Sequence, residues 1–294
     1  SICTFYGDQL ICHIYELLTL FDPENTAIYF DALIYCATSR YSDELPYYVT
    51  ILKGRGLLGF GELKSVFAKL GFNNINSCYS MNQITDEQLL NAYRNQLIVA
   101  TTKYEKVTFR ENLDKIATFR SSSYLREYLN TEPYFDIYDA YKLLDIDSSL
   151  DDSLLITFYD YKASENGLNF DPNVARAFYT IVLARKSIVL MSYIDNNLPQ
   201  FSVSDISLHD AYELIGCMDS ADDLTVTRIF QERLHNDPGT DFRMLWKSLK
   251  TIGDHRKSKL IEGYLTSGIV NSTLLSVDQS PAGLNNIGNT CYLN

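Results

Sequence analysis

The chain has 294 residues, 46% of them hydrophobic and 13% aromatic, and a net charge of −12. Its length suggests about two domains of ordinary size, and its apolar content is ample for packed cores. The acidity provides no basic face for phosphate, which excludes nucleic acid and anionic membrane as expected partners.

Residues 1–61 read as a degenerate helical unit that ends in a glycine-rich connector. Asp8-Gln9-Leu10-Ile11 is a candidate helix start, and Arg40-Tyr41-Ser42 stands ahead of Tyr48-Val49. Pro46 is expected to break a helix at that point. Tyr47 to Leu52 reads as a strand-like stub, followed by Gly54-x-Gly56-x-x-Gly59. That spacing resembles a dinucleotide fingerprint. No second strand ending in an acid follows about 20 residues on, so a flexible connector is the better reading.

Residues 62–133, 134–198 and 199–270 read as three copies of one three-helix unit. Each opens with a short helix that ends in an aromatic, two spacers and an aliphatic: Phe67 to Leu70, Tyr141 to Leu144, Tyr212 to Ile215. Acidic pairs then start a second helix: Asp86-Glu87, Asp151-Asp152 and Asp222-Asp223. Carboxylates in a first turn are favoured by the helix dipole. The apolar patterns that follow are Leu89-Leu90-x-x-Tyr93, Leu154-Leu155-x-x-Phe158 and Thr225-Val226-x-x-Ile229.

A third, longest helix is expected to carry Ile116, Arg120, Ser122 and Tyr128-Leu129 in the first copy. Ile181, Arg185, Ser187 and Tyr193-Ile194 repeat the same offsets, as do Ile252, Arg256, Ser258 and Tyr264-Leu265. Those offsets keep Ile, Arg and Tyr within one slowly drifting helical stripe, with Ile and Tyr facing the core. The recurring arginines are expected to lay their stems on the bundle and bond nearby carbonyls or carboxylates. Net charge is −4 over 1–61 (3 basic, 7 acidic), +1 over 62–133 (9, 8), −5 over 134–198 (5, 10) and −3 over 199–270 (8, 11). Residues 271–282 read as a linker, with a short extended piece before Pro281.

The six cysteines (Cys3, Cys12, Cys36, Cys78, Cys217, Cys291) form no C-x-x-C pair. Reduced thiols are therefore expected, with no metal site and no cofactor. Neither a leader peptide nor an apolar run near the ~18 residues of a membrane span stands out, which fits a soluble cytoplasmic protein without a membrane partner.

Residues 283–294 read Gly283-Leu284-Asn285-Asn286-Ile287-Gly288-Asn289-Thr290-Cys291-Tyr292-Leu293-Asn294. A Gly-Asn-Thr turn leading into Cys-Tyr-Leu is a plausible loop-to-helix junction, and a helix N-terminus lowers a thiol pKa. The pattern G-L-x-N-x-G-N-T-C-Y-x-N resembles the cysteine box of the ubiquitin-specific proteases. The resemblance implies a papain-like thiol protease, with Cys291 as nucleophile and Asn286 as oxyanion-hole donor. It implies cleavage of (iso)peptide bonds after the C-terminal glycine of ubiquitin.

The family's base histidine and its orienter are absent, since His13, His209, His235 and His255 all precede the box and lack its Gly-His-Tyr context. The sequence starts in mid-pattern at Ser1 and the box stops at Asn294, so it reads as a fragment that is itself inactive. The repeats contain no catalytic cluster. They read as an interaction region for ubiquitin, polyubiquitin chains, or a ubiquitin-ligase or adaptor protein. The other reading is a helical scaffold or adaptor of the same pathway that has lost catalysis.

Overall fold

Most helix starts among the described residues follow side-chain capping. A computed structural model describes residues 2–165, 171–237 and 239–274. Among these residues run sixteen α-helices and no β-strand. Thr85, Thr102, Ser207 and Asp222 each accept a backbone N–H three residues on, satisfying one of the orphan donors of a first turn. The chain divides into two compact units, residues 1–135 and 136–294. The linker beyond residue 274 and the cysteine box lie outside the described residues.

The first unit opens with α1 (Ile2–Phe21), α2 (Thr26–Ser39) and α3 (Glu44–Gly54). They enclose Tyr15, Phe30, Leu33, Leu45, Val49 and Leu52. Pro46 does not break α3. It is the third residue of that helix, in the turn whose N–H groups have no intrahelical partner. The strand-like stub at Tyr47 to Leu52 is likewise helical. Leu45, Val49 and Leu52 recur four and three residues apart and are all buried on one face of α3.

The glycine connector permits close crossings. A Cβ on Gly56, at φ +89°, would lie 2.2 Å from the Thr118 methyl, and one on Gly59 would lie 1.8 Å from Asp31 Oδ1. Asp31 also accepts the Gly61 N–H at 3.1 Å, at the start of the next helix.

That helix is α4 (Phe60–Lys69), followed by α5 (Cys78–Asn82), α6 (Asp86–Val99), α7 (Lys103–Phe119) and α8 (Ser123–Thr131). The second unit contains α9 (Ile137–Leu144), α10 (Asp152–Glu165), α11 (Pro172–Arg185) and α12 (Ile188–Asn197). It continues with α13 (Leu208–Ile215), α14 (Asp223–Asn236), α15 (Phe242–Arg256) and α16 (Lys259–Ser267). One packing scheme recurs. The first helix of each repeat lies on the third, in the pairs α4–α7, α9–α11 and α13–α15. The third also packs on the second and the fourth. Helix α5 is an insertion found in the first repeat alone among the three.

The tandem helical repeats are present, and the expected third helix divides into two. Ser121, Lys186 and Lys257 adopt left-handed conformations, at φ +50°, +50° and +53°. The next residue, Ser122, Ser187 or Ser258, is the N-cap of a fourth helix, its Oγ accepting from Leu125, Leu190 or Ile261. The repeated Arg-x-Ser is thus a helix stop followed by a helix start. The third helix is the longest in the first and third repeats and equals the second in the middle one, at 14 residues. The Ile positions are fully buried, whereas Tyr128 and Tyr193 are half-buried and only Tyr264 is fully enclosed.

The second-helix pattern lies one residue later than expected in two copies. Asp152 and Asp223 occupy the place of Asp86, while Asp151 and Asp222 are capping residues equivalent to Thr85. The buried aromatics are therefore Tyr93, Tyr159 and Phe230, and Phe158 faces outward.

Ile181 has no exposed surface, so Ile181→Ala is expected to destabilise the chain by about 2–5 kcal/mol in urea unfolding.

Candidate functional site in the polar clusters of the repeats

Arginine recurs at the end of each third helix and closes the repeat. Arg256 donates through Nη1 to the Ala221 carbonyl (2.7 Å) and to Asp223 Oδ1 (2.8 Å). Its Nη2 donates to the Asp219 carbonyl (2.7 Å) and its Nε to the Tyr212 hydroxyl (2.8 Å). Arg185 repeats the set on Leu150, Asp152, Ser148 and Tyr141. Arg120 binds Ile84, Asp86 and Met81 and stacks over Phe67, whose ring replaces the tyrosine. In the first two copies Ser122 or Ser187 donates to the other oxygen of the same carboxylate.

One guanidinium thus joins the first helix, the loop before the second, and the junction of the third and fourth. Only a planar fork with five donors reaches all of these. Burial alone would lower the Arg185 and Arg256 pKa values, but the Asp and Tyr hydrogen bonds outweigh it and raise them.

A second recurring contact crosses from the second helix to the fourth. Tyr93–Tyr128, Tyr159–Tyr193 and Phe230–Tyr264 meet edge to face at 6.1–6.2 Å. The N-terminal unit holds both devices. Arg40 pairs with the buried Asp8 at 2.8 Å, and Tyr15 meets Tyr48 edge to face at 6.3 Å.

None of these groups forms a reactive centre. Burial pushes the Cys12, Cys78 and Cys217 thiols above their ordinary value, the opposite of what a thiolate nucleophile needs. The four histidines are exposed. Among the described residues no cluster of His, Cys, Asp and Glu could hold a metal ion. A groove of about 530 Å³ between the second and third repeats is lined by Asp195, Trp246, Lys250, Asp254 and Glu262. It contains no nucleophile–base pair, and the Lys250–Asp195 ion pair lies in it. Cys291 and Asn286 lie outside the described residues, so their geometry is not part of this site.

Residues 75–130, 136–195 and 207–266 match the RPT family, described as a repeated domain in UCH-protein. The chain belongs to that family. The matched segments begin with the first helix in the second and third copies, whereas in the first copy α4 lies ahead of the match. The whole chain is 30% identical to ubiquitin carboxyl-terminal hydrolase 2 of Saccharomyces cerevisiae and 26% identical to the probable ubiquitin carboxyl-terminal hydrolase 2 of Schizosaccharomyces pombe. It spans 23% and 26% of the length of those relatives. No solved structure matches the chain. Among the described residues no helix is long and apolar enough to cross a membrane.

The RPT unit is therefore a four-helix module closed by an Arg–Asp clamp. Arg256→Ala leaves Asp223, which is 5% exposed, without its counter-charge. That change is expected to cost about 3–5 kcal/mol, with the lost hydrogen-exchange protection confined to 207–266. Arg256→Lys recovers only part of the loss, because an ammonium cannot span the four acceptors.

Asp222 titrates below its ordinary value of 3.8, first because the Thr225 backbone N–H bonds its ionised form. Asp151 is lowered in the same way by Leu154. A depressed carboxyl stabilises the fold fully well above its unfolded value, and that stabilisation is lost as pH falls through the folded one. Thermal midpoints should therefore hold steady from pH 7 to about 5 and fall between about pH 4 and 2, less steeply in Asp222→Asn.

Proposed function

We propose that the chain is the N-terminal interaction and positioning region of a cytoplasmic deubiquitinating thiol protease. The observation that carries this reading is the similarity of the whole chain to two fungal proteins named ubiquitin carboxyl-terminal hydrolase 2. The resemblance of residues 283–294 to a cysteine box supports the same reading.

In this reading the Cys291 thiolate adds to the carbonyl carbon of ubiquitin's C-terminal glycine. Asn286 donates to the oxyanion that forms. The amine of the substrate lysine leaves with a proton from a histidine base outside this chain, and water then releases ubiquitin from the thioester. The repeats add no reacting group. Their acidic second and third copies hold ubiquitin chains, or a ligase or adaptor, with modest and salt-sensitive affinity.

Steady-state cleavage of ubiquitin conjugates by the full-length enzyme tests this assignment. Cys291→Ser is expected to abolish turnover. Asn286→Ala is expected to lower kcat about 10²–10³-fold with KM nearly unchanged, since that donor acts where charge develops. Normal turnover by Cys291→Ser would contradict the assignment.

A further inference from the structure

The Asp–Arg clamp gives the four helical units a common register, and in that register two outward faces stand apart. Two, six and nine residues after the clamp aspartate, α1 carries Leu10, Ile14 and Leu17, and α10 carries Leu154, Phe158 and Tyr161. Those positions share one face of a helix, opposite the buried aromatic at the seventh residue. All six side chains are 39–63% exposed. On α1 the face continues to Phe21, which is 81% exposed.

The fold does not call for these side chains. The first repeat has Gln88, Ala92 and Asn95 at the same places, and the third has Thr225, Ile229 and Glu232. Both sister helices pack through the same buried positions. Isolated exposed apolar residues are ordinary, but a contiguous stripe repeated in register marks an interaction surface.

The charge around the stripes indicates what they accept. Helix α1 contains no Lys or Arg, and the single Lys of α10, Lys162, pairs with Glu165 at 3.1 Å. Glu16 flanks the first stripe, and Asp160 and Glu165 flank the second. The two apolar faces lie on the two most acidic segments, at −4 and −5.

We propose that these faces are two equivalent docking sites for a folded protein whose apolar patch is ringed by basic side chains. Building on the function proposed above, that protein is ubiquitin, one molecule on each site.

The test uses the whole 294-residue chain and isotope-labelled monoubiquitin followed by NMR. The intact chain is expected to perturb one contiguous ubiquitin surface, less so at high salt. Ile14→Lys and Phe158→Lys should each lower the bound fraction about twofold at limiting protein, as independent sites do. The double variant should weaken binding at least about tenfold, while Gln88→Lys is neutral. Circular dichroism of each variant checks that the helices persist.

Full binding by the folded double variant would overturn these sites and leave the repeats' ubiquitin role standing elsewhere. No perturbation by the intact chain would overturn both these sites and direct ubiquitin binding by the repeats. A dimer in sedimentation that Ile14→Lys or Phe158→Lys dissociates would assign the stripes to self-association and overturn the proposal.

Discussion

The fold of each repeat depends on a guanidinium held against an aspartate. Four short helices do not enclose much apolar surface, and the loop before the second helix leaves carbonyls that need donors. Arg120, Arg185 and Arg256 supply those donors from the end of the third helix. The same residue stands just before the left-handed position that stops that helix. One side chain thereby fixes where the third helix ends, where the second begins and how the first lies across them. Arg40 and Asp8 keep the pair in the N-terminal unit. There α1 has no preceding loop, because the helix runs back to Ile2 on the far side of Asp8.

Much of this was readable as spacing. The threefold Ile–Arg–Ser–Tyr pattern gave the repeat, its buried isoleucine and the inward role of the arginine. The break within it was not readable, because a helical stripe can be drawn through Arg-x-Ser without a clash. Only the backbone at Ser121, Lys186 and Lys257 distinguishes one helix from two. Non-glycine residues at positive φ leave little trace in composition. The one-residue slip in the second helix has a similar cause. Asp151-Asp152 and Asp222-Asp223 each combine a cap with a clamp, and two adjacent identical letters hide which is which. Pro46 misled for the opposite reason, since the rule against proline applies to helix interiors and not to first turns.

The clamp also separates structure from function within the unit. Its arginines bond groups of their own repeat, so ligand binding is sought on the surfaces the fold leaves free. Burial raises the Cys12, Cys78 and Cys217 thiols above their ordinary value, the opposite of what nucleophilic chemistry needs. Cysteine chemistry of the proposed kind is favoured by a thiolate at a helix start, and Cys291 follows the one Gly-Asn-Thr run in the sequence.

We propose that the chain serves a ubiquitin-cleaving enzyme whose nucleophile is Cys291. It is tested most directly by treating the full-length protein with ubiquitin bearing an electrophile at its C-terminus, then mapping the adduct by peptide mass spectrometry. The account predicts a single covalent ubiquitin on Cys291 and none on Cys3, Cys12, Cys36, Cys78 or Cys217. An adduct on any of those five, or no adduct on folded protein, would contradict it.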